Sequence, residues 1–323
     1  MTVSIRLRRR ATCLLAAVAL VASAAACGDA VATQQVDRIV RYEHQGTTTW
    51  GVLEGEAVRA LPGATLFEAA AAQPSGASIP LADVALLPPV DPDQTSKVIG
   101  VAVNTRRPGL TEPRANPRWF TKFPTSLSAS GGGVELPPEA TNLNYEGELA
   151  LIIGREGRHI PEAEAMDYIF GVTVGNDFSE NTWYGERNGD ADPTRMISKG
   201  TDTWAALGPA IVRNIDWSDL RLTTTLNGEI VQDGRTSDLV NSPANLISHV
   251  SRYITLKPGD VIYTGTVLFG EGVRRRMEVG DELVVEIEGI GALHSTIVPM
   301  ASDPPGGAAG AGGAAGDNGP GMP

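Results

Sequence analysis

Two acids separated by one residue stand at the head of an apolar run, Leu143-Asn144-Tyr145-Glu146-Gly147-Glu148-Leu149-Ala150-Leu151-Ile152-Ile153-Gly154. The run reads as a buried strand, and strand side chains at i and i+2 share a face, so Glu146 and Glu148 project side by side. Two anions at the mouth of an apolar strand repel unless a cation lies between them. An all-oxygen site suits a hard divalent ion, magnesium first, with manganese and calcium as alternatives. The same E-x-E pattern also decorates solvated sheet edges, so the pair alone leaves that plainer reading open.

Two further segments bear on the choice. Tyr168-Ile169-Phe170-Gly171-Val172-Thr173-Val174-Gly175-Asn176-Asp177 is a second apolar strand ending in an acid. If it runs beside the first, Asp177 completes a cage of three carboxylates, which demands a cation. Taken alone, Asn176-Asp177 is an ordinary start to a turn. Lys199 follows in Ser198-Lys199-Gly200-Thr201-Asp202-Thr203, one of only four lysines beside 22 arginines, so a chain that prefers arginine has kept lysine here. Beside a metal, such a lysine holds an enolate or carboxylate oxygen, or donates a proton once its pKa is depressed; on a surface it merely pairs with an acid.

The elements that must position these residues are mostly strands. Short alternating runs at 36–42, 48–53 and 57–60, turning at Gly46 and Gly55, form a small N-terminal β domain over 36–92, with a short helix near 66–72. A strand at 97–103 opens the main domain, 97–300, whose further strands fall at 143–153, 168–176, 207–213, 219–227, 260–264, 282–288 and 291–298. Helices fit 161–166, with Pro161 in the first turn, and 242–253. This is a mostly β (α+β) chain, a mixed β-roll or β-sandwich with a few peripheral helices, and not an alternating βαβ fold.

The two ends lie outside that body. Arg6, Arg8, Arg9 and Arg10, an apolar stretch from Leu14 to Val21 and Ser23-Ala24-Ala25-Ala26 make residues 1–27 an export signal, too short for a membrane span. Ala-Ala-Ala-Cys-Gly resembles a bacterial lipobox, which would lipidate Cys27 and tether the chain to the cell envelope. Ala24 stands where leucine is usual, so plain cleavage and secretion stay open. From 302 to 323 the chain is nearly all Gly, Ala, Pro and Asp, a disordered tail. With the leader arginines set aside, 26 basic residues fall to 22 against 38 acidic ones, which excludes nucleic acid as a partner. Cys13 and Cys27 are the only cysteines, so the body has neither disulfides nor thiolate metal sites.

Asn144-Tyr145-Glu146-Gly147-Glu148-Leu149-Ala150, Gly175-Asn176-Asp177-Phe178-Ser179, Lys199-Gly200-Thr201-Asp202-Thr203 with Leu207-Gly208-Pro209, Leu226-Asn227-Gly228-Glu229-Ile230-Val231-Gln232-Asp233-Gly234, Thr264-Gly265-Thr266, and Gly280-Asp281 to Gly289-Ile290-Gly291 occur in sequence. In order and spacing they resemble the fumarylacetoacetate hydrolase (FAH) family over about 97–298, and more loosely over 36–92. The resemblance implies an FAH-like β-roll, a homodimer, a small-molecule substrate and a divalent metal held by Glu146, Glu148 and Asp177. It puts the active-site lysine on Lys199, a threonine of the outer shell on Thr203, a lysine ahead of the substrate loop on Lys122, and a substrate-facing threonine on Thr266. Members hydrolyse or cleave C–C bonds of diketo acids, decarboxylate or tautomerise 2-oxo acids, or dehydrate sugar acids, through an enol or enolate.

The departures matter as much. The family reads N-Y-x-x-H-x-x-E after its first main strand, whereas this chain has Asn104-Thr105-Arg106-Arg107-Pro108-Gly109-Leu110-Thr111-Glu112, with Pro108 at the histidine's place. The hydrolytic base is absent, and Glu112, displaced by one position, is the candidate substitute. None of His44, His159, His249 and His294 replaces it by sequence. Arg106 is left beside the gap, and Asn181 and Tyr184 stand where hydrolases have substrate-contacting arginine and glutamine. Val267 for the usual proline, with Leu268 and Phe269, makes the pocket more apolar. The expectation is a metal-dependent enzyme acting on an enolisable dicarbonyl or 2-oxo compound, as lyase, isomerase, dehydratase or hydrolase. Two others stand beside it: a biosynthetic cyclase or rearrangement catalyst on an apolar polyketide-like substrate, and a non-catalytic envelope lipoprotein that binds a ligand.

Overall fold

The computed structural model describes residues 37–183, 192, 194–267 and 276–301. The expected export signal with Cys27, the residues Tyr184, Leu268 and Phe269, and the expected tail of 302–323 lie outside these residues. The centre of the fold is a 12-stranded sheet. Its main path runs Ser75–Pro80, Ala57–Leu61, Thr47–Glu54, Arg38–His44, Ala205–Val212, Ile169–Asp177, Gly147–Ile153, Val261–Thr266, Val98–Ala102 and Arg118–Lys122. Leu127–Ala129, four residues beyond the last strand, pairs in parallel with Ala205–Leu207, so the sheet rolls back on itself. A five-stranded sheet, Glu229–Arg235, Arg221–Leu226, Glu282–Ile287, Gly291–Pro299 and Gly132–Leu136, packs against one face.

The alternation of Gly147–Ile153 explains both layers. Leu149, Leu151 and Ile153 join Val172 and Val174 in the core shared with Leu222, Leu226, Val285, Ile287, Leu293 and Ile297 of the smaller sheet. Ala150 and Ile152 face the other way, into a second core with Val98, Ala205, Leu207, Val261 and Tyr263 inside the roll. Because strand side chains alternate, Glu148 lies on the Ala150 face, and Asp177, two residues past Gly175, lies on that face of the neighbouring strand. Each large aliphatic buried in these layers contributes about 1.5–3 kcal/mol, so the paired cores are what can carry a buried charged cluster.

The mostly β reading with a few peripheral helices holds. The N-terminal meander continues the large sheet, with Arg38 and Ile39 pairing with Val212 and Ile211. Helices form at Leu66–Ala71 and Pro243–Ser251, the latter capped by Ser242, whose hydroxyl accepts from Asn245 N–H. The expected helix at 161–166 is a 3-10 stretch, Glu162–Tyr168. The single strand expected over 143–153 is divided: Leu143–Asn144 pairs with Ser179–Glu180, and the long strand begins at Gly147. The division arises because Asn176 accepts the Glu146 N–H on its side-chain oxygen, at 2.9 Å, in place of a ladder bond.

Gly175 is a point of close approach inside the roll. A Cβ there would stand 2.5 Å from the Tyr263 ring, and that ring is tethered because its hydroxyl donates to Ala206 O at 2.9 Å. Gly175→Ala is therefore expected to destabilise the protein by about 1–3 kcal/mol through overpacking, read as a lower urea midpoint at unchanged m-value. An unchanged midpoint would show that the ring gives way.

Candidate metal centre

At the shared end of Gly147–Ile153 and Ile169–Asp177, carboxylate oxygens of Glu146, Glu148 and Asp177 all lie within 4.8 Å of one another. Glu148 and Asp177 are buried, and Glu146 is partly open, its side chain 19% exposed. The turn Thr264-Gly265-Thr266 grips the acidic strand residue by residue. Thr264 donates through Oγ1 to Leu149 O at 2.8 Å, Gly265 N–H to Glu148 Oε2 at 2.7 Å, and Thr266 through Oγ1 to Gly147 O at 3.0 Å. Gly265 has φ +110°, a backbone that a side chain would disfavour, and this turns its N–H toward the carboxylate.

Two lysines balance the three acids. The Lys199 ammonium lies 2.7 Å from Glu146 Oε2, also bonds Asp177 Oδ2, and sits 4.8 Å from the centre of the Phe120 ring. Lys122 Nζ lies 2.7 Å from Asp177 Oδ1 and donates to three carbonyls, Phe178 O at 3.1 Å, Lys199 O at 2.6 Å and Trp204 O at 2.8 Å. Burial pushes the Lys122 ammonium down to about 8, against the pull of Asp177. Burial acts the same way on Lys199, but Asp177 and Glu146 outweigh it and hold that pKa above the ordinary lysine value. Burial raises Glu148 well above the carboxylate range, with the charges of Asp177 and Glu146 adding to it. Asp177 is also raised, burial again leading, with Lys122 and Lys199 pulling the other way.

Lys199 is carried by a five-residue helix, Met196–Gly200, which is absent from the helices expected at 161–166 and 242–253. Asp192 holds its first turn: the carboxylate accepts from the N–H groups of Met196, Ile197 and Ser198 at 3.0–3.2 Å. Those bonds pull its pKa below the usual value although burial opposes them. Asp-Pro-Thr ahead of a helix is the signal that could have found it. Asn176 and Gln232, which bond the backbone of Glu146 and Gly147, were likewise not singled out as site residues.

The remaining predicted residues among those described fall in four places. Thr266 is half-buried, its backbone paired with Glu148. Thr203, with φ +68°, accepts from Glu135 N–H on its hydroxyl at 2.8 Å and from the Ser128 hydroxyl on its carbonyl, one residue before Trp204, whose carbonyl accepts from Lys122. Lys122, expected ahead of a substrate loop, has its ammonium wholly enclosed by protein oxygens. Arg106 and Glu112 are exposed on the loop that replaces the family's histidine segment. At its tip Arg107 and Leu110 exchange backbone hydrogen bonds around Pro108 and Gly109, the latter at φ +79°, the pattern of a type II turn. The loop is anchored to the centre by Thr105, whose hydroxyl donates to Thr266 O. None of the four histidines belongs to the cluster: Trp119 donates to His249 Nδ1 at 3.1 Å, and His44 Nδ1 meets Asp83 O.

The donor set consists of oxygens only, two of the three carboxylates are buried, and burial disfavours their ionised forms. The residues present thus fit a hard divalent cation, for which Glu146, Glu148 and Asp177 could each supply an oxygen. A β-roll with an acid-and-lysine cluster at its strand ends defines the class of protein. Residues 97–298 match the family model for the fumarylacetoacetate (FAA) hydrolase C-terminal domain, and 37–89 match that of the Rv2993c-like N-terminal domain. The chain belongs to the fumarylacetoacetate hydrolase family. It is 36% identical to human mitochondrial oxaloacetate tautomerase FAHD2A over 231 residues, 68% of this chain and 71% of that protein. The crystal structure of 5-carboxymethyl-2-hydroxymuconate delta-isomerase from Mycobacterium smegmatis superposes with TM-score 0.71 at 35% identity, covering 82% of this chain and 100% of that one. Maleylpyruvate hydrolase from Sphingobium sp. SYK-6, solved with manganese(II) and pyruvate, gives 0.66 at 25% identity with the same two coverages.

Two measurements follow from the charges. In chelator, Glu148 binds its proton more tightly folded than unfolded, so its contribution to stability is present at low pH and lost as pH rises toward its elevated folded pKa. The thermal midpoint of the wild type should fall relative to Glu148→Gln as pH rises above the ordinary carboxylate range, and saturating Mn2+ should abolish the fall. Parallel pH profiles would contradict the raised pKa. Lys122→Met leaves Asp177 buried with one cation fewer, an expected loss of about 3–5 kcal/mol in urea denaturation. A loss under 1 kcal/mol would show that Lys199 alone suffices.

Proposed function

We propose that this protein is a metal-dependent isomerase of enolisable 2-oxo acids, moving a proton between carbon and oxygen of a dicarbonyl substrate. One observation carries the reading: the acid-and-lysine cluster is complete, while the loop that holds the family's histidine is the Pro108-Gly109 turn. Hydrolysis needs a water deprotonated and aimed at a carbonyl, whereas tautomerisation forms and breaks only bonds to hydrogen. Relatives named a tautomerase and a delta-isomerase, at 36% and 35% identity, support the same choice over the hydrolase at 25%.

A divalent metal held by Glu146, Glu148 and Asp177 would supply Lewis-acid polarisation of substrate oxygens, acidifying the neighbouring C–H. The chain's own contribution centres on Lys199. Because Asp177 and Glu146 keep its ammonium charged and its pKa raised, Lys199 is an electrostatic partner to a developing enolate oxygen, neither a resting base nor a proton donor, and the protons leaving carbon and reaching oxygen exchange with water. Phe120 lies against that ammonium, and Trp204, fully buried and stacked on Trp183, bears a carbonyl that Lys122 holds. Val267, buried behind Thr266, keeps that side apolar. The leader and Cys27 extend the proposal to an enzyme working outside the cytoplasm, free or lipid-attached.

The test is loss of enol absorbance on adding purified protein to oxaloacetate, with Mg2+, Mn2+ or chelator, alongside an acylpyruvate cleavage assay. Metal-dependent tautomerisation is expected, faster than cleavage. Lys199→Met should lower kcat by about 10²–10³, and Glu112→Gln, altering an exposed loop residue, should stay within about twofold of wild type. Turnover indifferent to metal, or cleavage outpacing tautomerisation, would refute the proposal.

A further inference from the structure

The Glu229–Arg235 strand belongs to the smaller sheet, yet one of its side chains reaches the acidic strand. Gln232 is fully buried and its amide makes four hydrogen bonds. Oε1 accepts from Gly147 N–H at 3.0 Å and from the Thr224 hydroxyl at 2.8 Å. Nε2 donates to Thr266 Oγ1 at 2.8 Å and to Val267 O at 3.1 Å. Two of these partners have fixed polarity, since a backbone N–H only donates and a carbonyl only accepts. They orient the amide without ambiguity, because a flipped amide would oppose donor to donor at Gly147 and acceptor to acceptor at Val267.

The rest of the network is then determined. Thr266 Oγ1 accepts from Gln232, so its own proton goes to Gly147 O at 3.0 Å. The peptide on either side of Gly147 is thereby held, the one toward Glu146 by Gln232 directly and the one toward Glu148 by Gln232 through Thr266. Gly147 leaves room for this approach: a Cβ there would lie 2.5 Å from Thr224 Oγ1. Thr224, itself fully buried, completes the grip from the adjacent strand.

We infer that Gln232 is a positioning residue, which fixes the spacing and direction of the Glu146 and Glu148 carboxylates by clamping the glycine between them to the second sheet. The inference rests on the metal-binding reading of that cluster. It makes the sandwich interface part of the site: the smaller sheet offers no ligand but holds two of the three in place. Groups that orient metal ligands in this way commonly account for about 10–100-fold in affinity.

The test is calorimetric titration with Mn2+ of folded protein, well below each variant's thermal midpoint. Gln232→Met, close in size and without the amide, is expected to weaken Mn2+ affinity at least tenfold. Gln232→Glu keeps the acceptor bonds and loses at least one of the two donors, and should also weaken it at least tenfold. Leu293→Ala opens a cavity in the same interface without touching the network, and should lower the thermal midpoint while leaving affinity unchanged. If the Gln232 variants fail to fold, Thr224→Val removes one of the four bonds and should weaken binding by a smaller factor. Gln232→Met or, failing that, Thr224→Val binding as tightly as wild type overturns the inference, as does an equal loss in Leu293→Ala. Absence of Mn2+ binding by the wild type overturns the metal reading and this inference with it.

Discussion

Asp177 sits between two buried ammonium groups, Lys122 on one oxygen and Lys199 on the other, and the rest of the site depends on that arrangement. Three carboxylates within 4.8 Å of one another could not stay buried on their own, because burial and mutual repulsion both work against their charges. The two lysines have different parts. Lys122 is spent on Asp177 and three carbonyls, tying together the end of one strand, the end of the Lys199 helix and the residue before the next strand. Lys199 faces Glu146, the least buried of the acids, and so is the ammonium turned toward the open side.

The fold makes this possible by bringing strand ends together. Glu148, Asp177 and Thr266 stand at one edge because Gly147–Ile153 pairs antiparallel with both neighbours. The two hydrophobic layers on either side supply the stability that a cluster of buried charges lacks. Only the Lys199 helix lies outside the ladders, and Asp192 secures it by taking three backbone N–H groups on one carboxylate. A carboxylate at a helix start is favourable on its own account, since it meets otherwise unpaired N–H groups and the positive end of the helix dipole.

How much of this is legible in the residues varies with the interaction that decides it. Alternation and β-branched runs revealed the long strands, because a two-residue period is imposed by the pleat itself. The acids Glu146, Glu148 and Asp177 were visible because ionisable residues at the ends of apolar runs stand out against their surroundings. The short strands Arg118–Lys122, Leu127–Ala129 and Gly132–Leu136 were not, since their pairing comes from distant partners rather than from any local pattern. The division of the strand before Gly147 depends on one Asn176 side chain. Lys122 stands out from the sequence as a substrate-binding candidate ahead of the substrate loop; its enclosure against Asp177 follows from the roll of the sheet, which local spacing does not encode.

On the proposed reading, the three carboxylates hold a cation with Lys199 at its border. Anomalous diffraction from crystals grown with Mn2+ tests it most directly. The prediction is one anomalous peak within coordination distance of Glu146, Glu148 and Asp177, with Lys199 retained beside it. Crystals in which Mn2+ binds elsewhere, or nowhere, while the Lys199 ammonium stays between Glu146 and Asp177, would contradict it.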